Sequence, residues 1–115
     1  MNDGKKITLR FRAINCSTFR AIRDGRKTVE TRAASVRYRN VSPSDVLVLV
    51  CGKKRLEKKI RRVAYFKTLD AMFRKILYTD ISPDAPSLAA ARQEYDLYTG
   101  YREKIKKYGL MAFYL

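Results

Sequence analysis

Apolar and polar residues alternate over residues 7–13, where Ile7, Leu9, Phe11 and Ala13 fall on one side and Thr8, Arg10 and Arg12 on the other. A period of two predicts a half-buried strand, here with a basic outer face. Ser17 or Thr18 is placed to cap a short helix carrying Phe19 and Ile22, and Gly25 ends it. Alternation returns over residues 27–34, with Thr28, Glu30 and Arg32 opposite Val29, Thr31 and Ala33. Pro43-Ser44-Asp45 then turns the chain into the run Val46-Leu47-Val48-Leu49-Val50-Cys51. Continuous β-branched and aliphatic residues predict a central strand covered on both faces.

After Gly52 the apolar positions change phase: Leu56 and Ile60 share a face, whereas Val63 and Tyr65 sit on the other. A bulge near Arg61 or Arg62 would reconcile the two halves. Thr68 opens a helix with Leu69, Met72, Phe73 and Ile76 at helical spacing, and the loop Ser82-Pro83-Asp84-Ala85-Pro86 separates it from a second helix running from Ser87 to about Leu97. Residues 104–107 lead into an apolar C-terminal strand over residues 110–115. Strands interspersed with helices in this order predict an α+β fold. With five or six strands and two to three flanking helices in 115 residues, closure into a small β-barrel is the economical way to remove exposed edges. The expected core holds Leu9, Phe11, Val48, Val50, Met72, Phe73, Leu110 and Phe113. The length fits a single domain, residues 1–115.

Composition sharpens this picture. Lys and Arg number 26 and Asp and Glu 11, a net charge of +15, which points to a polyanionic partner, foremost nucleic acid. The charge is uneven: residues 79–98 hold Asp80, Asp84, Glu94 and Asp96 against Arg92 alone. With no histidine in the chain, histidine-based catalysis and histidine metal ligands are excluded. Two cysteines cannot complete a four-thiolate zinc site, so neither metal nor cofactor is expected. Cys16 and Cys51 read as small buried hydrophobes of a cytoplasmic domain rather than as a disulfide. Residues 1–6 are polar and the longest purely apolar run is residues 46–51, so no signal peptide, membrane span or membrane partner is expected.

Around the Gly25 turn stand Lys27, Glu30 and Arg32, the latter two on one strand face. Arg supplies a planar fork for a phosphate or base edge, Lys a point charge, and Glu an acceptor for an exocyclic amine. The plainer alternative is a surface salt-bridge cluster. Arg37-Tyr38-Arg39 combines phosphate contacts with a stacking ring suited to single-stranded RNA, against the alternative of a tyrosine packed on the domain. Residues 53–62, opening with Lys53 and Lys54, carry seven cations and one Glu. Tyr95, Tyr98 and Tyr101, spaced three apart on a helical side, read as core rather than as stacking platforms.

Gly25-x-Lys27-x-x-Glu30-x-Arg32 after a short helix resembles the G-x-K-x-x-E-x-R signature of ASCH domains, relatives of PUA domains. Ser44-Asp45 ahead of an apolar strand is similar to the Gly-Asp turn of that family, with serine in place of glycine. Lys67-Thr68-Leu69 opening a helix, the proline-containing loop, the segment with Tyr95 and Tyr98, and the closing Tyr108-Gly109-Leu110-Met111-Ala112-Phe113 are also similar, so the likeness spans nearly the whole chain. It implies a PUA-like β-barrel with an RNA-binding cleft lined by Lys27, Glu30 and Arg32. Arg37, Tyr38, Arg39, Lys53 and Lys54 would then extend the positive surface. Some members are amidohydrolases that deacetylate N4-acetylcytidine with a Lys, a Thr three residues later and a distant Glu. Here Lys27 matches, but Glu30 stands at the position of the threonine nucleophile. The alternative reading is therefore an enzyme acting on RNA or a modified nucleoside, with Lys27 as base and Glu30 beside it. A third is a protein-interaction module whose charge serves solubility.

Overall fold

In the computed structural model, which describes residues 4–115, the chain forms six strands: β1 (Lys6–Phe11), β2 (Val29–Ala33), β3 (Val46–Cys51), β4 (Lys54–Lys59), β5 (Arg62–Phe66) and β6 (Leu110–Tyr114). Between them lie α1 (Cys16–Arg23), α2 (Leu69–Lys75), α3 (Tyr78–Ile81), α4 (Leu88–Gln93) and α5 (Tyr101–Tyr108). The strands divide into two open three-stranded sheets. One has the order β1-β3-β4 and the other β2-β6-β5. β1 runs parallel to β3, and all other pairings are antiparallel. The two central strands, β3 and β6, are the two most apolar segments of the chain, because only a central strand buries a continuous run of aliphatic side chains.

One core fills the space between the sheets, with Leu9, Leu47 and Leu49 from the first, Met111 and Phe113 from the second, and Phe19 and Ile22 from α1. A second core lies on the other face of the second sheet. There Val29, Leu110 and Ala112 pack against Leu69, Met72, Ile81, Tyr95 and Ile105. β6 is thus buried on both faces. Of the expected core residues, Leu9, Val48, Met72, Leu110 and Phe113 are buried, whereas Phe11, Val50 and Phe73 are half-buried.

The phase change after β4 is a corner between sheets rather than a bulge within one. Ile60 is fully buried there; its N–H donates to Asp45 O at 2.8 Å, and that of Arg61 to Tyr114 O at 2.7 Å. Thr68 and Ser87 cap α2 and α4 by accepting from Ala71 and Ala90 N–H, each at 3.1 Å. α1 starts one residue before Ser17, at Cys16, without a side-chain cap. α3 and α5 were not apparent in the periodicity, because each buries a single side chain, Ile81 and Ile105. The Ser44-Asp45 turn has a clear structural role. The buried Asp45 carboxylate accepts from Lys5 N–H at 3.0 Å and Ser42 N–H at 2.8 Å, and Ser44 has φ 79°, the left-handed region that favours glycine.

Cys16 and Cys51 are joined by a disulfide, with Cα atoms 5.8 Å apart, which corrects the expectation of two free thiols. They are 35 residues apart in sequence. Only the stacking of α1 on the end of β3 brings them together. No helix among the described residues is long and apolar enough to cross a membrane.

Candidate functional site

β2 is an edge strand of the second sheet, and an open edge presents unpaired backbone groups. The residues singled out in the sequence occupy those groups. Glu30 Oε1 accepts from Thr31 N–H at 2.9 Å, and Tyr101 Oη accepts from Ala33 N–H at 2.9 Å. Lys27 Nζ donates to Val29 O at 2.8 Å and to Ile81 O at 2.5 Å, and stands 3.6 Å from Glu30 Oε1. Lys27 and Glu30 are each only 6% exposed. Arg32 leans over them, its guanidinium 3.5 Å from Glu30 Oε2.

The electrostatics follow from this packing. Burial, the largest influence, pushes the Lys27 ammonium below the usual lysine range; Glu30 opposes that and Arg32 adds to it. For Glu30, burial raises the carboxyl, but Lys27, Arg32 and the Thr31 N–H together outweigh it and hold the group below the usual carboxylate range. Two carbonyl acceptors and a carboxylate 3.6 Å away surround Nζ, an environment that suits an ammonium paired with Glu30. Arg32 is partly exposed and its buried Nε has no hydrogen-bond partner among the described residues.

Three tyrosines complete the wall. Tyr95 Oη and Thr31 Oγ1 are 2.6 Å apart. The Tyr95 ring stacks on Tyr101 with centroids 6.2 Å apart and planes 19° from parallel, and Tyr98 meets Tyr101 edge-on. Burial pushes the hydroxyls of Tyr95 and Tyr101 above the usual tyrosine range, so both stay neutral donors. The expectation of one helix carrying all three is corrected: Gly100, at φ 75°, ends the turn after α4 and starts α5. Tyr95 is core, as expected, but Tyr98 is 49% exposed.

These groups line a cavity of about 580 Å³, whose opposite wall is the end of β1 and the start of α1, including Arg10, Arg12, Asn15 and Thr18. The volume lies within the roughly 300–1,000 Å³ of ligand sites. Five cations (Arg10, Arg12, Lys27, Arg32, Lys104) face three carboxylates (Glu30, Asp84, Glu94). Asp84 pairs with Arg26 at 2.9 Å, and Glu94 accepts from Ser82 Oγ at 2.8 Å.

Lys27, Glu30 and Arg32 therefore meet in one cavity. Arg37, Tyr38, Arg39, Lys53 and Lys54 do not line it. Arg37 donates to Thr8 O at 2.7 Å and lies over the Tyr38 ring. Tyr38 itself packs against Phe113, the plainer of its two readings. Arg39 lines a second cavity with Tyr65, Lys107 and Tyr108. Lys53 and Lys54 are exposed at the β3–β4 hairpin, which shares an end of the first sheet with Phe11 through the register Phe11–Cys51–Lys54. Among the cavity residues that sequence reasoning missed are Arg10, Arg12, Ser82 and Lys104. Only the basic outer face of β1 hinted at any of them. Among the described residues no group of three or more His, Cys, Asp or Glu is placed to hold a metal ion.

No family model and no curated protein matches the chain. Solved structures similar in fold include the following two. The crystal structure of hypothetical protein PH0355 aligns with a TM-score of 0.77 at 22% identity, over 95% of each chain. The solution structure of protein PF0455 from Pyrococcus furiosus aligns with a TM-score of 0.70 at 23% identity, over 96% of this chain and 94% of that one.

Proposed function

We propose that this chain is an ASCH-type, PUA-like domain that binds RNA, taking a base or nucleoside into the cavity beside β2 and holding flanking phosphates on the surrounding cations. The two sheets packed around one core are, in this reading, the halves of a small barrel left open along β2. The observation that carries it is Arg32: a partly exposed charged fork lining a ligand-sized cavity, beside an exposed tyrosine and an aromatic stack. Planar donors and aromatic faces are what an unpaired base requires. The net charge of +15 supplies long-range attraction for phosphates.

The enzyme reading is weaker. A general base needs a free lone pair on nitrogen, whereas Lys27 directs its protons to two carbonyls and Glu30. Glu30, tied to Thr31 N–H and two cations, is likewise a poor nucleophile.

Fluorescence anisotropy with single-stranded RNA over a range of salt tests the proposal. Affinity should fall steeply, each phosphate contact adding roughly 0.7 to the log–log slope. Arg32→Ala should weaken binding and change preference among sequences. Lys53→Ala with Lys54→Ala should lower the slope and weaken all sequences alike. Salt-independent binding, or none at low salt, would overturn the reading. Turnover of N4-acetylcytidine or of labelled RNA by the wild type would restore the enzyme.

A further inference from the structure

The second cavity, of about 410 Å³, lies across β6 from Arg32 and has a different electrostatic character from the first. Its lining holds two cations, Arg39 and Lys107, and two tyrosines, Tyr65 and Tyr108, but no carboxylate. Among the described residues neither Arg39 nor Lys107 has an ion-pair partner; Lys107 lies over the Tyr108 ring instead, 5.1 Å from its centroid. The charge at this cavity is therefore uncompensated, unlike that of the first.

Tyr65 stands out within it. The ring is 57% exposed, yet it is held in place. Its hydroxyl donates to Tyr108 O at 3.3 Å, and the ring covers Gly109, where a Cβ would come within 2.6 Å of Cε1 and Cζ. A glycine at φ 83° thus lets the hydroxyl end of the ring approach the backbone closely. An aromatic face presented to solvent with little freedom left to lose is suited to stacking, because ordering it costs little entropy on binding. The two cations of the lining, Arg39 and Lys107, suit the phosphates of the stacked nucleotide.

The two cavities are joined in two ways. Arg32, Met111 and Tyr65 form one cross-strand row over β2, β6 and β5, spanning two strand spacings, about 10 Å. α5 runs between the cavities, with Tyr101 and Lys104 lining the first and Lys107 and Tyr108 the second. Positions three and four apart on a helix share a side, so α5 offers a continuous cationic and aromatic track.

Resting on the RNA reading above, we infer that the second cavity is a further nucleotide subsite for single-stranded RNA. One base enters the first cavity, the strand follows α5 past Lys104, and a base a few nucleotides away stacks on Tyr65, its phosphates on Arg39 and Lys107. The domain then recognises a short single-stranded segment and not an isolated nucleoside.

The test compares a uridine dinucleotide with a uridine octanucleotide on the full chain, by anisotropy at low salt. Tyr65→Ala should weaken the octanucleotide about 5- to 100-fold, as loss of one base–aromatic stack predicts, and leave the dinucleotide unchanged. Tyr65→Phe, which keeps the ring, should retain octanucleotide affinity. Arg39→Ala with Lys107→Ala should lower the octanucleotide salt slope by roughly 1.4. In the wild type, a photoreactive octanucleotide carrying thiouridine should cross-link to the Tyr65 peptide, a readout independent of the variants' folding. If Arg32→Ala weakens the octanucleotide while Tyr65→Ala does not and no cross-link maps to Tyr65, the second subsite is wrong and the first stands. If the wild type binds neither oligonucleotide, both fall.

Discussion

Lys27 and Glu30 show how a single residue can serve the architecture and the site at once. Both are buried and paired, so removing Glu30 leaves Lys27 without its counter-ion, a change that costs about 3–5 kcal/mol in buried pairs, whereas removing Lys27 leaves Glu30 with Arg32 and costs less. Loss of function in a Lys27 variant therefore has to be read beside its stability. The sign of the pH effect follows from Glu30. Its folded-state value lies below the ordinary 4.5, so its contribution is complete above that pH and is lost as pH falls through the folded value. Urea unfolding at about pH 6 and about pH 3 should show a larger loss of stability for the wild type than for Glu30→Gln, which has no carboxyl there to titrate. Equal losses would mean that folding does not lower the Glu30 carboxyl below its unfolded value. Ser44 makes the opposite case. At φ 79° a residue with a Cβ is strained by roughly 1–2 kcal/mol, while glycine adds unfolded-state entropy of roughly 0.5–1 kcal/mol. Ser44→Gly should thus stabilise by about 0.5–1 kcal/mol in chemical denaturation.

At the scale of elements, β2 is the decisive segment. Its alternation was legible, and so was the side shared by Glu30 and Arg32. Its status as an edge was not, because strand order depends on which distant segment pairs beside it. Being an edge is what lets Lys27, Glu30 and Tyr101 reach its backbone and open the cavity there. Tyr101→Phe removes the acceptor of Ala33 N–H and should cost roughly 1–3 kcal/mol. Amide exchange at Ala33 should quicken more than at neighbouring β2 positions. Exchange unchanged at Ala33 would show that this edge group is satisfied otherwise. The phase shift after β4 was visible in Leu56, Ile60, Val63 and Tyr65, but a bulge and a corner leave the same local trace. Only the partners of β4 and β5, β3 and β6, distinguish them.

The whole molecule is held by two cores on either side of the second sheet, with the Cys16–Cys51 bridge tying α1 to the end of β3. Reduction should lower stability by about 2–4 kcal/mol, the usual worth of a cross-link closing a loop of this order. Guanidinium unfolding with and without reductant measures it, and Cys16→Ser should match the reduced protein and be insensitive to reductant. The α+β class, the places of β1, β2, β3 and β6, the capped starts of α2 and α4, and the shared face of Glu30 and Arg32 were determined by the sequence itself, since periodicity, capping and turn chemistry act over a few residues. The disulfide, the division into two sheets, the tyrosine wall and the second cavity were decided by tertiary structure. Each joins residues tens of positions apart, and such contacts arise from how β-sheets and helices bury their faces against one another, which no local pattern records.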